Sequence, residues 1–258
     1  MVSIGIDVGS QYVKAMIWDG NEVISKASIQ GGKESSSTGK EALEKILKEA
    51  GLSRDQVGHI AATGVGKDYI EETDITATDI KCGVLGSIHL FSSARTIIDI
   101  GAEGCHVINC NKEGKVIRSV FNDKCASGTG IFLDTIAEVL KVSVEELGEL
   151  SSHSKEQIEM NLSCAVFAES EVVSFIHKGI NKADIIWAVH DAIAKRTISL
   201  MERVGIEDDI VLIGGVAKNK GMVEAIKQRV GRPIKVPEDP EYVNALGAAI
   251  FAERRGEA

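Results

Sequence analysis

Two short aspartate–glycine motifs have the composition of turns that bind phosphate and magnesium. Residues 7–10 (Asp-Val-Gly-Ser) end an apolar run, and residues 99–101 (Asp-Ile-Gly) end another. Glycine lets backbone N–H groups approach phosphate oxygens, and Mg²⁺ prefers carboxylate, phosphate and water oxygens. We therefore predict that the catalytic carboxylates are Asp7 and Asp99, and that the phosphate contacts come from Gly9, Ser10, Lys14 and Gly101.

A third glycine motif follows a later apolar strand, at residues 213–217 (Ile-Gly-Gly-Val-Ala). It predicts a turn beneath the adenosine and α-phosphate, formed by Gly214, Gly215, Val216 and Ala217. Each motif alone could be an ordinary turn. In this order and at these separations, the three motifs resemble the actin–Hsp70–sugar-kinase superfamily. That resemblance implies an α/β actin-like ATPase fold (ASKHA, ribonuclease H-like): two similar lobes, each a five-stranded sheet flanked by helices, with ATP in the cleft between them.

Two of the five cysteines stand near predicted helix starts. Cys125 precedes an amphipathic run at 131–140, and Cys164 opens a second run. A helix N-terminus favours negative charge, so it suits thiolates and the sulfurs of an iron–sulfur cluster. The alternative for any such cysteine is a small buried apolar residue. The sequence contains no Cys-x-x-Cys pair, so a metal site has to combine distant segments or two chains.

The sequences around both cysteines resemble the BadF/BadG/BcrA/BcrD ATPase family. The similarity runs almost end to end and includes residues 122–130 (NDKCASGTG), 164–172 (CAVFAESEV), 214–219 and 245–249. This family includes activators of (R)-2-hydroxyacyl-CoA dehydratases and ATPase subunits of benzoyl-CoA reductase. The resemblance implies that Cys125 and Cys164 ligate a [4Fe-4S] cluster. A cubane needs four thiolates, so two chains would share one cluster in a homodimer. The remaining cysteines match no cluster motif and are predicted to be structural: Cys82, Cys105 and Cys110.

The resemblance implies an ATP-hydrolysis-driven one-electron donor that uses ATP/ADP, Mg²⁺ and the shared cluster. Its expected partners are an iron–sulfur acceptor, such as a 2-hydroxyacyl-CoA dehydratase or related reductase, and a donor such as ferredoxin or flavodoxin. Activators usually read DIGGQD at the second phosphate motif, whereas this chain has Ala102, Glu103 and Gly104. Gln11 and Tyr12 also replace the usual threonines. Because of these departures, an alternative stays open: the chain could be an ATPase subunit of a heteromeric benzoyl-CoA-type reductase. Further alternatives are a small-molecule kinase of the same fold and an ATPase regulator without a cluster.

Composition and charge exclude several other classes of protein. The 258 residues carry a net charge of −9 and a pI near 5.3, which disfavours nucleic acid and anionic membranes as partners. No apolar run is long enough to span a bilayer. The N-terminus has no basic segment and carries Asp7 within its apolar stretch, unlike a signal peptide. We therefore expect a cytoplasmic protein.

Periodicity and turn residues give a coarse element map. An N-terminal lobe is predicted at 1–93, completed by the helix at 243–258, and a C-terminal lobe with the cysteines and the adenosine motif at 94–242. Residues 31–37 read as a polar loop. Predicted strands are 2–7, 12–18, 22–29, 57–63, 96–99, 106–109, 115–120 and 210–213, and predicted helices are 40–50, 128–141, 165–177, 185–204, 220–230 and 242–254.

Overall fold

Two five-stranded sheets organise the chain, one in each of two units. The structure, a computed structural model, describes residues 1–31, 35–122, 129–162 and 164–256. The first unit comprises Met1–Ala94, Cys110–Val116 and Glu241–Ala258, and the second comprises Arg95–Asn109 and Ile117–Pro240.

The described residues form strands and helices in an alternating order. The strands are β1 (Val2–Val8), β2 (Tyr12–Trp18), β3 (Val23–Gln30), β4 (Val57–Thr63), β5 (Ile75–Thr76), β6 (Thr96–Ile100), β7 (Cys105–Cys110), β8 (Val116–Asn122), β9 (Ile210–Ile213) and β10 (Ile234–Lys235). The α-helices are α1 (Ser35–Ala50), α2 (Asp79–Leu90), α3 (Gly130–Leu140), α4 (Leu147–Ser152), α5 (Ala165–His177), α6 (Lys182–Val204), α7 (Lys220–Val230) and α8 (Val243–Gly256).

The first sheet has the order β3-β2-β1-β4-β5, with β1 antiparallel to β2 and parallel to β4. Alternation along β1 directs Ile4 and Ile6 into a core with Ile46 of α1. Gly5 lies on the opposite face against α8, where an added Cβ would collide with the Ala245 carbonyl. This glycine allows the backbone of α8 to pack directly on the central strand.

The second sheet repeats this plan with the order β10-β9-β6-β7-β8. Its central strand β6 is antiparallel to β7 and parallel to β9, as β1 is to β2 and β4. α6 is the core helix of this unit, and Ile193 is fully buried among Phe132 of α3 and Leu212 of β9. The two sheets and their helices confirm the predicted α/β fold with two similar lobes.

The element map needs several corrections. Residues 35–37 belong to α1, not to the predicted loop, and Gly39 fits within that helix because it packs closely against the Ile70 side chain. Helix α2 is absent from the predicted map because its buried side includes Gly83, Gly86 and Ser87, so its apolar periodicity is weak. The short elements α4, β5 and β10 are also absent from that map. Among the described residues, no helix is both long and apolar enough to cross a bilayer.

Candidate functional site

Asp7 lies near the carboxyl end of the central strand of the first unit. It is 6% exposed and directly opposite Lys14 of β2, whose Nζ lies 3.2 Å from Asp7 Oδ2. The turn from β1 to β2 is closed by a hydrogen bond of 3.0 Å from Gly9 N to the Tyr12 carbonyl. Asp7, Gly9 and Lys14 therefore form one local motif, with Ser10 in the same exposed turn.

Gly64 supports this motif from the neighbouring parallel strand. It follows β4 with φ +87°, and an added Cβ would lie 2.7 Å from Asp7 Oδ1 and 2.6 Å from the Val8 carbonyl oxygen. Both the backbone conformation and the space therefore require glycine. Gly64 directly follows the predicted strand at 57–63 and was not among the predicted site residues.

The second unit repeats this arrangement around Asp99. Asp99 lies on central strand β6 beside Ile213 of β9, as Asp7 lies beside Thr63 of β4. Gly101 N donates to the Gly104 carbonyl at 2.9 Å. Gly214 has φ +89°, and an added Cβ would lie 2.6 Å from Asp99 Oδ1. Each unit thus places one carboxylate over a glycine at the end of the adjacent parallel strand.

The predicted adenosine motif is a single 3-10 turn over Gly215–Lys218. Val216 and Ala217 are buried, whereas a Cβ added to Gly215 would meet no described atom within 4 Å. The backbone at Gly215 is therefore open to approach by a ligand.

Asn219 connects this turn to the core of the second unit. Its Oδ1 accepts a 3.0 Å hydrogen bond from Met222 N and thereby caps α7. Its Nδ2 lies 3.2 Å from Nε2 of His190 on α6. Because Oδ1 is the acceptor for α7, Nδ2 is the donor to the histidine, and Nε2 of the neutral ring accepts. Burial lowers the pKa of His190 to about 4. No local sequence signal marks His190, so it was not among the predicted site residues.

The first turn of α3 rests on both nucleotide motifs of the second unit. Gly130 N donates to the Gly101 carbonyl and Ile131 N donates to the Ala102 carbonyl, each at 3.0 Å. A Cβ added to Gly130 would lie 3.3 Å from Ala102 Cα and 3.6 Å from Val216 Cγ2. The helix that follows the Cys125 segment is therefore held by the second phosphate motif and packs beside the adenosine motif.

The unusual Gly104 of the second phosphate motif has a packing partner. An added Cβ would lie 2.5 Å from the ring of Phe121 on β8. Phe121 also packs edge-on against the His106 ring, with centroids 3.8 Å apart. A larger side chain at position 104 would displace Phe121, so these two residues are mutually adapted in this chain.

Cys164 is the N-cap residue of α5 and is half-buried. Its carbonyl accepts from Ala168 N at 2.9 Å, and its thiol is free. Cys125 lies outside the described residues. Within the described part of the chain, no group of three or more His, Cys, Asp or Glu could hold a metal ion.

The other three cysteines are core residues. Burial raises the pKa of both Cys82 and Cys105 to about 12, so these thiols are neutral. Cys110 is also buried, with its Sγ 3.6 Å from the Ala94 carbonyl oxygen. Their environments suit packing and disfavour thiolate chemistry.

The sequence model of the BadF/BadG/BcrA/BcrD ATPase family matches residues 4–252. The chain belongs to this family. The (R)-2-hydroxyglutaryl-CoA dehydratase activating ATPase of Acidaminococcus fermentans is 37% identical over 255 residues, covering 98% of this chain and 97% of its own. A subunit of the benzoyl-CoA reductase of Thauera aromatica is 30% identical, with coverage of 99% and 94%.

A solved structure of a dehydratase activator also matches this chain. The activator of the 2-hydroxyisocaproyl-CoA dehydratase from Clostridium difficile, solved with bound ADPNP, matches with a TM-score of 0.95 and 34% identity. The match covers 100% of this chain and 96% of that one. The fold of this BadF/BadG/BcrA/BcrD member is thus that of an actin-like ATPase.

Proposed function

We propose that this protein is an ATP-hydrolysing one-electron donor that activates a 2-hydroxyacyl-CoA dehydratase or a related iron–sulfur enzyme. The observation that carries the proposal is the start of α3. This helix follows the segment that contains Cys125, and its first two amides donate to the carbonyls of Gly101 and Ala102 in the second phosphate motif. A nucleotide that moves this motif would also move the helix behind a cluster ligand.

The nucleotide part of the proposal assigns Asp7 and Asp99 to a hydrated Mg²⁺ and the attacking water. Each carboxylate is held at the end of a central strand by sheet pairing and by an adjacent glycine, so its position is fixed before ligand binds. Lys14 already pairs with Asp7 in the first motif. With nucleotide bound, the Lys14 side chain would contact the phosphates as well as Asp7. The open backbone at Gly215 supports a role in adenosine binding.

The donor set fits a cluster shared by two chains. Cys164 offers a half-buried thiol at the N-terminus of a thirteen-residue helix, where free N–H groups favour anionic sulfur. With Cys125, each chain would provide two thiolates, and a [4Fe-4S] cubane requires four. When bound, the cluster supplies one-electron storage.

Exposed apolar residues beside Cys164 support a homodimer. Val166 and Phe167 are 66% and 73% exposed at the start of α5. A second chain that shared the cluster would cover this turn, and the energy of metal binding would become energy of association. A ferredoxin or flavodoxin would be the electron donor, and an iron–sulfur enzyme would be the acceptor.

A second candidate is an ATPase subunit of a heteromeric benzoyl-CoA-type reductase. The altered second phosphate motif favours it, because Ala102, Glu103 and Gly104 stand where activators usually read DIGGQD. In that case a related but different ATPase subunit would provide the other two thiolates.

Anaerobic purification tests the proposal directly. We expect about four irons and four sulfides per dimer, and absorbance at about 400 nm. Cys164→Ser should lose the iron and keep nucleotide affinity, whereas Cys110→Ser, a buried cysteine away from α5, should keep both. Sedimentation should show a dimer that a chelator dissociates. Wild-type protein with ATPase activity but no iron would refute the electron-donor function. A cluster that assembles only with a second ATPase subunit would favour the reductase.

A further inference from the structure

Arg196 joins the two segments that lead to the proposed cluster ligands. Its Nη2 donates to Asn122 Oδ1 at 3.0 Å, and its Nη1 donates to the Leu162 carbonyl at 3.3 Å. Asn122 is the last residue of β8, shortly before Cys125, and Leu162 lies just before Cys164. One side chain therefore connects two stretches that are far apart in sequence.

The helix that carries Arg196 is packed into the core of the second unit. The residue lies on α6, the long core helix, between the buried residues Ile193 and Thr197. Thr197 Oγ1 also donates to the Ile193 carbonyl at 3.0 Å. The guanidinium is planar and presents its N–H donors in a fixed fork, so it can hold two acceptors in a defined relation.

We infer that Arg196 is a positioning residue for the cluster, because it holds the approaches to Cys125 and Cys164 at a fixed separation. This inference rests on the proposed function. Four thiolates must meet within one small site, and bringing two distant cysteines together costs conformational entropy. An anchor on both segments would reduce that cost in the iron-free chain and slow the escape of iron from the assembled site.

The surroundings of Arg196 make substitution practical. It borders an open cavity of about 540 Å³ with Glu159, Glu171 and Lys195. Water can therefore occupy the space left by a shorter side chain, and the helix interior is unchanged. Arg196→Lys keeps the positive charge but replaces the fork with a single ammonium group, whereas Arg196→Gln removes the charge as well.

The experiment compares Arg196→Lys, Arg196→Gln and Asn122→Ala with an Arg118→Gln control. Arg118 is an exposed arginine on β8 that donates a 3.5 Å bond to the Arg203 carbonyl, so its substitution matches the charge change at a place away from the cysteine segments. Iron release to a chelator should be roughly 10-fold faster in both Arg196 variants. Asn122→Ala should have a smaller effect that does not add to that of Arg196→Gln.

Two measurements on iron-free protein separate positioning from general damage. Affinity for MgADP should equal that of the wild type in all variants. Hydrogen exchange at the amides of Asn161 and Ala168, which donate to Glu171 Oε2 and to the Cys164 carbonyl, should accelerate in the Arg196 variants and stay unchanged in Arg118→Gln. Wild-type rates of both iron release and exchange in Arg196→Lys and Asn122→Ala would overturn the inference. An iron-free wild type would instead refute the proposed function, and the exchange measurement would still test the anchor.

Discussion

Acidification should destabilise the second unit through His190. The ring is 1% exposed, and burial lowers its pKa from 6.5 to about 4. A histidine in the unfolded chain keeps a pKa near 6.5, so the unfolded state takes up a proton first as the pH falls. The stability that neutral His190 contributes is therefore complete above pH 6.5 and is lost progressively between pH 6.5 and 4. From pH 7 to pH 5 the loss amounts to about 2 kcal/mol.

The assay is urea unfolding of the iron-free protein, followed by Trp187 fluorescence. The chain has two tryptophans, so a Trp18→Phe background makes Trp187 of α6 report on the unit that contains His190. The glutamine of His190→Gln cannot titrate, whereas the protonation of carboxylates contributes equally to the pH dependence of this variant and of its parent. The difference between their free energies of unfolding should change by about 2 kcal/mol between pH 7 and pH 5. His153→Gln, which changes an exposed histidine, should follow the wild type. Equal pH dependence in His190→Gln and wild type would refute this account of His190.

Two further predictions concern the carboxylates. Asp7→Asn and Asp99→Asn should each reduce ATP hydrolysis roughly 100-fold or more and leave iron content unchanged, since we propose that both carboxylates serve the Mg²⁺–phosphate centre; normal hydrolysis in Asp99→Asn would remove it from the mechanism. Gly214→Ala should destabilise the protein by about 2–4 kcal/mol and lower hydrolysis, because its Cβ would contact Asp99. Gly231→Ala is the matched control, since Gly231 has φ +66° but no described atom within 4 Å of an added Cβ; it should cost about 1–2 kcal/mol and leave hydrolysis unchanged in the folded protein.

The sequence was informative where local pattern and chemistry coincide. The apolar runs before Asp7 and Asp99 correctly predicted two strands, which are the central strands of their sheets, and the Gly214 motif predicted the turn after β9. α2 escaped prediction because it packs through glycines: a Cβ at Gly86 would collide with the Val243 carbonyl. Its small residues reflect a neighbouring helix, which no local window contains.

The supporting residues of the site escaped prediction for a related reason. His190 and Arg196 both lie on α6, whose periodicity predicts a helix but gives no role to individual side chains. Their partners are Asn219 and Asn122, which are distant in sequence. Only the fold reveals that one helix contacts both the end of the adenosine motif and the approach to a cysteine. A polar side chain gains such a role from tertiary contacts alone.

The duplicated arrangement also indicates what the altered second phosphate motif changes. Asp99 pairs with His106 of β7 and Ile213 of β9 and lies beside Gly214, and none of these three contacts involves residues 102–104. Those residues instead contact the start of α3, through the Ala102 carbonyl, and Phe121, through Gly104. We therefore expect the departures from DIGGQD to preserve these contacts of Asp99, the carboxylate that we propose for hydrolysis. Their effect should fall on the link between the phosphate motif and α3, and thus on how strongly nucleotide state is communicated to the cysteine segment.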